Sequence, residues 1–318
     1  MLSVEYLSGF IDGEGSLSLA RIPRPRGSKE YCVRISIANT NRQILEEIQD
    51  EYGGTLASSG KRPSRWKTVY VLIWTNAAAA YLLVKVAPHL LVKSSHASAL
   101  LEFLEHLGMC RRDRDRKGRL LPLSREEIRI REAYYRRLKH LNLRGQNPRR
   151  QVAVEQGDSD SQDQKADRIS PEYLAGFIDA EGCLAISRTH ARKYGTIQYR
   201  PRVTLSNTHG QTLSQIQRDY GGLVYRYPRA KVGWKDSYTL VWTEGLIPIV
   251  LSLVSPHLRI KGRQAAILRD FNRHIRDTPM NRRGSFWIPH PREIIDFRER
   301  LYQRMRKLNT RGIQPPST

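Results

Sequence analysis

The sequence predicts an α+β chain made of two copies of one αββαββα unit with an added helix. Two observations carry that prediction. The decamer Tyr6–Gly15 (YLSGFIDGEG) returns as Tyr173–Gly182 (YLAGFIDAEG), matching at eight of ten positions. Further matches then follow at an offset of 167 or 168 residues: Val33–Gly54 with Pro201–Gly222, Tyr70–Thr75 with Tyr238–Thr243, Ala87–Lys93 with Ser255–Lys261, and Leu141–Gly145 with Leu308–Gly312. A period of that length duplicates whole domains, and each copy is large enough to bury its own core. The expected domains are therefore 1–145 and 170–318. Between them 146–169 is nearly free of large apolar residues and reads as a flexible tether.

Within the first copy the decamer has apolar residues at helical spacing and stops at Gly15, as the second stops at Gly182, which predicts a left-handed glycine cap. Ser16–Ile22 and Tyr31–Ala38 alternate apolar and polar residues, as half-buried strands do. Asn41–Tyr52 is a helix with Ile44, Leu45 and Ile48 on one face, ended by Gly53 and Gly54. Two more strands flank the loop Lys61–Lys67. Helices then follow at about Ala77–Val86, Ser94–Leu107 and Ser124–His140, the last opened by the capping box Ser124-x-x-Glu127.

Composition points to a polyanionic partner. Lys plus Arg number 54 against 31 Asp plus Glu, a net charge of +23. On charge alone a ribosome-associated basic protein or a membrane-surface protein competes with a DNA-binding one. A membrane partner is not expected, because no apolar run of about 18 residues occurs. Cys32, Cys110 and Cys183 lack zinc-type spacing and form an odd set, so neither a zinc site nor a disulfide framework is expected, and the setting is intracellular.

The duplicated helix carries the chemistry. Gly9 and Gly13, like Gly176 and Ala180, lie four apart on one face, where small residues let two helices approach closely. Copy one is therefore expected to pack on copy two. Asp12 and Glu14, with Asp179 and Glu181, put carboxylates at a helix C-terminus, which the macrodipole disfavours unless a cation lies nearby. Paired glutamates at such a junction are tolerated when they share divalent metal.

These residues resemble a known family: Leu7–Gly15 and Leu174–Gly182 look like the LAGLIDADG motif of homing endonucleases, in the single-chain, two-repeat branch. The resemblance implies a saddle of antiparallel sheets on DNA and a monomer with internal pseudo-two-fold symmetry. It implies that Glu14 and Glu181 bind catalytic metal with the carbonyls of Gly13 and Ala180, while Asp12 and Asp179 are mainly structural. Lys93 and Lys261 match a basic residue near the scissile phosphate, and Asn39 and Asn207 match a polar residue that orients water. Mg²⁺ or Mn²⁺ is the implied working ion, with Ca²⁺ binding without supporting cleavage. The implied setting is a prokaryotic cytoplasm or an organelle.

With Leu17 and Leu19 turned to the helices, Ser16, Ser18 and Ala20 face outward, as do Arg34, Ser36 and Ala38, and in the second copy Ser187, Thr189, Arg202 and Thr204. Such a face suits the major groove, which admits a β-ribbon. Phosphate contacts are expected from Arg24, Arg26, Lys29, Lys61, Arg62, Arg65 and Lys67, then Arg188, Arg192, Lys193, Arg226, Arg229, Lys231 and Lys235. Arg112–Arg119 reads as a solvated loop, and His89 and His257 as packing or capping residues. Three functions fit: a Mg²⁺-dependent DNA endonuclease that cuts a long, imperfectly symmetric site and leaves short 3′ overhangs; an RNA maturase whose partner is host intron RNA; and a DNA-binding regulator on a decayed nuclease scaffold. Because both copies keep their carboxylates, the sequence favours the first.

Overall fold

Two similar units, each with a four-stranded antiparallel sheet covered by helices on one face, make up the chain. The computed structural model describes residues 1–23, 29–58, 67–110, 116, 122–142, 168–191, 196–229, 235–278, 282–283, 286–287 and 290–310, with side chains omitted for 29, 191, 196, 282–283 and 286–287. The first unit runs α1 (Val4–Glu14), β1 (Gly15–Pro23), β2 (Lys29–Asn39), α2 (Arg42–Tyr52), β3 (Thr55–Ser58), β4 (Tyr70–Thr75), α3 (Asn76–Val86), α4 (Ser94–Met109) and α5 (Arg125–Leu141). The second repeats it as α6 (Pro171–Glu181), β5 (Gly182–Ala191), β6 (Thr196–Asn207), α7 (Gly210–Tyr220), β7 (Leu223–Tyr227), β8 (Ser237–Trp242), α8 (Ile247–Val254), α9 (Gly262–Asp277) and α10 (Arg292–Asn309). Among the described residues each unit thus closes with three α-helices, so two are added to the αββαββα pattern rather than one.

Both sheets have the same strand order, β1-β2-β4-β3 and β5-β6-β8-β7. Alternation decides which face is covered. Leu17, Leu19, Ile35, Ile37, Leu72 and Trp74 are buried beneath the helices, and Leu184, Ile186, Val203, Leu205, Leu240 and Trp242 repeat them. The intervening residues form an open face, the division of labour usual for an antiparallel sheet.

Local chemistry sets the element ends. Asn41 and Ser124 accept hydrogen bonds from Ile44 N and Glu127 N as N-caps of α2 and α5. Gly53 and Gly54 take φ of 70° and 102°, values repeated at Gly221 and Gly222, so these pairs need glycine for backbone conformation. The tether ends earlier than its composition suggests. Ile169 is buried, its N–H donates to Asp219 Oδ2 at 2.9 Å, and its carbonyl accepts from Tyr220 Oη at 2.6 Å. The rest of the predicted tether, 146–167, lies outside the described residues, as does most of Arg112–Arg119. Among the described residues no helix is long and apolar enough to cross a membrane.

Candidate active site and nucleic-acid interface

The duplicated helices begin at a serine cap. Ser3 accepts from Tyr6 N and Ser170 from Tyr173 N, both at 3.1 Å, with Pro171 supplying a preset φ at the start of α6. They end differently from the left-handed cap that glycine predicts. Gly15 (φ −79°, ψ 159°) and Gly182 (φ −75°, ψ 150°) are extended and lead straight into β1 and β5, while their N–H groups return to Ile11 O and Ile178 O. Glycine is required here by close approach. A Cβ at either position would lie 2.6 Å from that same carbonyl oxygen.

The two acidic residues of each motif separate by burial. Asp12 and Asp179 are 1% and 2% exposed. Asp12 accepts from three successive amides, Leu91 N at 2.7 Å and Val92 N at 3.0 Å on Oδ2, and Lys93 N at 2.9 Å on Oδ1. Asp179 does the same with Arg259 N (2.7 Å), Ile260 N (3.0 Å) and Lys261 N (2.8 Å). Consecutive N–H groups form an anion-binding nest at the start of α4 and α9, whose own N-cap lysines make no side-chain cap bond. Each aspartate is therefore a strut between the motif helix and the helix that follows the Pro-His-Leu segment.

Glu14, by contrast, is exposed, and Glu181 is half-buried. The lysine of each nest reaches the end of the same motif helix. The Lys93 ammonium donates to the Asp12 carbonyl, and that of Lys261 to Ile178 O at 2.7 Å and Asp179 O at 2.6 Å. A cation at the C-terminal carbonyls offsets the unfavourable placement of negative charge at this helix end. The next carbonyls along the chain belong to Gly13 and Ala180, so each helix end gathers a carboxylate, a backbone carbonyl and an ammonium.

Such oxygen donors fit a hard cation of the Mg²⁺ type, which takes one or two carboxylates and completes its shell with water and substrate phosphate. Among the described residues no group of three or more His, Cys, Asp or Glu forms a metal cage. Asn39 and Asn207 have local work. Their side-chain oxygens accept from Asn41 N at 2.8 Å and His209 N at 2.9 Å, shaping the turns into α2 and α7.

The open faces match the predicted alternation closely. Ser16, Ser18, Ala20, Arg34, Ser36 and Ala38 all alternate with buried residues, and Arg34 pairs in register with Ser18 and Thr75. In the second unit Ser187, Thr189 and Arg202 lie on the corresponding face, where Arg200 and Arg202 line a shallow depression of about 620 Å³ with Ser187 and Thr243. Thr204 shares that face but is only 7% exposed, because its short side chain sits on an inner strand between its register partners Cys183 and Val241.

Arg188 and Arg226, both predicted phosphate ligands, have partners within the protein. Arg188 shares strand parity with Leu184 and Ile186, so it turns toward the helices. Its Nε lies 3.6 Å from Glu299 Oε2 of α10 and its guanidinium 5.9 Å from the Tyr302 ring. Arg226 donates from Nε and Nη2 to Asp236 Oδ2 at 2.8 and 2.6 Å, and this carboxylate raises the guanidinium's pKa. Lys67, Arg229 and Lys235 are exposed. Arg24, Arg26, Lys61, Arg62, Arg65, Arg192, Lys193 and Lys231, and the side chain of Lys29, lie outside the described residues.

The Arg188 arrangement is itself duplicated. Arg21 Nη1 meets Glu132 Oε1 at 3.2 Å, Tyr31 Oη donates to Glu132 Oε2 at 2.6 Å, and Arg21 sits 5.0 Å from the Tyr135 ring. Tyr199 likewise donates to Glu299. Burial and then the glutamate bond push both tyrosines up to about 12. Sequence reading also missed β3 and β7 as contributors to the open face. The signal was Leu223-Val224-Tyr225-Arg226-Tyr227, whose odd positions are large, apolar and exposed.

Comparison with known proteins finds no matching family model and no matching curated sequence. Solved structures do match. The LAGLIDADG homing endonuclease I-GzeII in complex with its DNA target superposes with a TM-score of 0.65 at 12% identity, covering 98% of this chain and 100% of that one. The I-LtrWI LAGLIDADG homing endonuclease bound to target DNA gives 0.62 at 13% identity, covering 98% of both chains. The LAGLIDADG meganuclease I-AabMI bound to uncleaved DNA gives 0.59 at 17% identity over 95% of this chain and 98% of its own. This chain thus has the two-repeat LAGLIDADG fold.

Proposed function

We propose that this protein is a site-specific, divalent-metal-dependent DNA endonuclease of the LAGLIDADG type, acting as a monomer whose two units each attack one strand of a long, imperfectly symmetric site. The observation that carries the reading is the twice-built helix end. In both units the motif's second carboxylate lies outside the core, its first is locked into a three-amide nest, and a lysine is held at the same carbonyls.

Each part has a role in phosphodiester hydrolysis. Glu14 and Glu181, with the Gly13 and Ala180 carbonyls, would hold Mg²⁺ or Mn²⁺. When bound, such an ion supplies charge to the phosphoryl oxygens and lowers the pKa of attacking water. Lys93 and Lys261 place a positive charge where the transition state gains negative charge, pre-oriented by carbonyls of the motif helix. Asn39 and Asn207, whose oxygens serve their turns, would meet the water network through their amide nitrogens. The open sheet faces would lie in the major groove. The structure of I-SmaMI bound to uncleaved DNA target in the presence of calcium ions fits an ion that does not support cleavage.

The test is selection of cleavable sites from a randomised duplex library with Mg²⁺, followed by mapping of both cut strands. Short 3′ overhangs are expected, and Glu14→Gln or Glu181→Gln should abolish double-strand cutting while binding persists. Unchanged cleavage in both variants would refute the metal assignment. No cleavage together with tight RNA binding would move the protein to the maturase reading.

A further inference from the structure

The two open faces differ most at their outer strand. In β7, Leu223, Tyr225 and Tyr227 alternate with Val224 and Arg226 and remain 49%, 46% and 53% exposed. Their register partners Val241, Thr239 and Ser237 on β8 confirm the side: Thr239 bonds Ser206 across the open face through their hydroxyls at 2.9 Å. Val241 in turn pairs with Thr204, and Thr204 with Cys183. One rung of the sheet, Cys183-Thr204-Val241-Leu223, is therefore apolar or weakly polar along its whole length. The first unit has Ser16-Ser36-Ile73-Thr55 on the same rung, and Ala57 where the second unit has Tyr225.

Large apolar side chains on an exposed edge strand are an aggregation hazard that soluble proteins ordinarily blunt with charge or proline. The first unit shows that the fold does not need them, since Thr55 and Ala57 occupy the same strand. Leu223 and Tyr225 therefore serve contact rather than folding, and Tyr227 continues their exposed row. The same face carries Arg200 and Arg202, which complement a polyanion, so the occupant must be anionic and yet present apolar groups. Duplex DNA meets both conditions, because its phosphates carry the charge and its major groove presents the thymine 5-methyl as an apolar group.

We infer that Leu223, Tyr225 and Tyr227 form a thymine-methyl reader, so that the half-site under the second unit is selected for thymine at the base pairs facing β7 and the other half-site is not. The inference rests on the DNA-endonuclease reading and gives it a base-level content that the fold alone does not.

The full-length protein would be carried through duplex selection by binding in Ca²⁺, and the selected site remade with deoxyuridine replacing thymine at one position at a time. Removing one buried methyl should weaken binding about three- to fivefold at the positions under β7 and leave it unchanged in the other half-site. Tyr225→Phe, which keeps the ring, should retain the thymine preference. The pair Leu223→Thr and Tyr225→Ala, copying the first unit, should bind thymine and deoxyuridine sites equally, with a thermal unfolding midpoint like the parent's. Deoxyuridine sites bound as tightly as thymine sites by the parent protein would overturn the inference while leaving the endonuclease reading intact. Failure to select any duplex would overturn both.

Discussion

Replacing Asp12 tests whether the two acidic residues of the motif have separate tasks. Its carboxylate is 1% exposed and accepts three backbone N–H bonds from Leu91, Val92 and Lys93. Asp12→Ala strands all three donors. Each unsatisfied buried donor costs about 1–3 kcal/mol, and because these loop residues are only half-buried the lower end applies, giving about 3 kcal/mol in all. Asp12→Asn keeps an oxygen for the two amides on the Oδ2 side but turns an NH₂ toward Lys93 N. It should therefore cost about 1–2 kcal/mol, one lost bond plus the charge at the start of α4. Glu14→Gln removes an exposed negative charge at a helix C-terminus and should leave stability unchanged or raise it by about 0.3–1 kcal/mol. Urea denaturation at neutral pH reads all three, and the alanine variant should lower the midpoint of its unit by about 6–12 °C in a thermal scan. A loss under about 1 kcal/mol for Asp12→Ala, or a greater loss for Glu14→Gln than for Asp12→Asn, would refute the division into strut and ligand.

Gly15→Ala and Gly182→Ala should each cost about 1–3 kcal/mol, since the added methyl meets a backbone oxygen at 2.6 Å. Gly108→Ala, where nothing lies within 4 Å, should instead stabilise α4 by up to about 1 kcal/mol in the same urea assay. Glu299 titrates in the usual direction for a paired carboxylate. Burial pushes its pKa up, but hydrogen bonds from Tyr199 and Gln303 and the charge of Arg188 hold it below the ordinary 4.5. Its stabilisation is present above that value and is lost as pH falls through the lowered one, so the stability gap between parent and Glu299→Gln should narrow on acidification. DNA affinity should fall by about 10³–10⁵ between about 50 and 200 mM salt if six to ten phosphates are contacted, read from a plot of log K against log salt. A slope near zero would remove the electrostatic role of the +23 surplus.

Much of this architecture was legible because it is local. Alternation at Leu17, Leu19, Ile35 and Ile37 identified the covered face, and Ser124-x-x-Glu127 marked the start of α5. The repeat singled out Glu14 and Glu181 as candidates without any geometry. What escaped depends on contacts between residues distant in sequence. Asp12 meets amides 79 to 81 residues away, which no periodicity reveals. Gly15 fits a left-handed cap by type, and only the distance to Ile11 O shows that close approach is the reason. Arg188 falls among the basic turns by sequence, although its parity with Leu184 and Ile186 turns it to Glu299, and Arg226 is drawn off by Asp236 ten residues on. The third closing helix is a matter of counting: its boundaries were readable, while the sheet-first pattern left no place for it.

The duplication also separates what folding requires from what recognition requires. Covered positions are conserved in kind between the units: Leu17 with Leu184, Leu19 with Ile186, Ile37 with Leu205, and Trp74 with Trp242. Close packing forces this, since a core tolerates little change of volume. The struts, the lysines and the Arg-Glu-Tyr clamps are kept as well. Open-face positions have drifted, with Ser16 against Cys183, Ser36 against Thr204, Ala38 against Ser206, and Thr55 and Ala57 against Leu223 and Tyr225. Surface substitutions of this kind usually change stability by no more than about 0.5 kcal/mol, so folding did not select them. Two faces with different hydrogen-bonding groups and different apolar area cannot prefer the same base pairs. If each face reads one half-site, the target cannot be a perfect palindrome, and the departure from symmetry should be greatest where β3 and β7 lie.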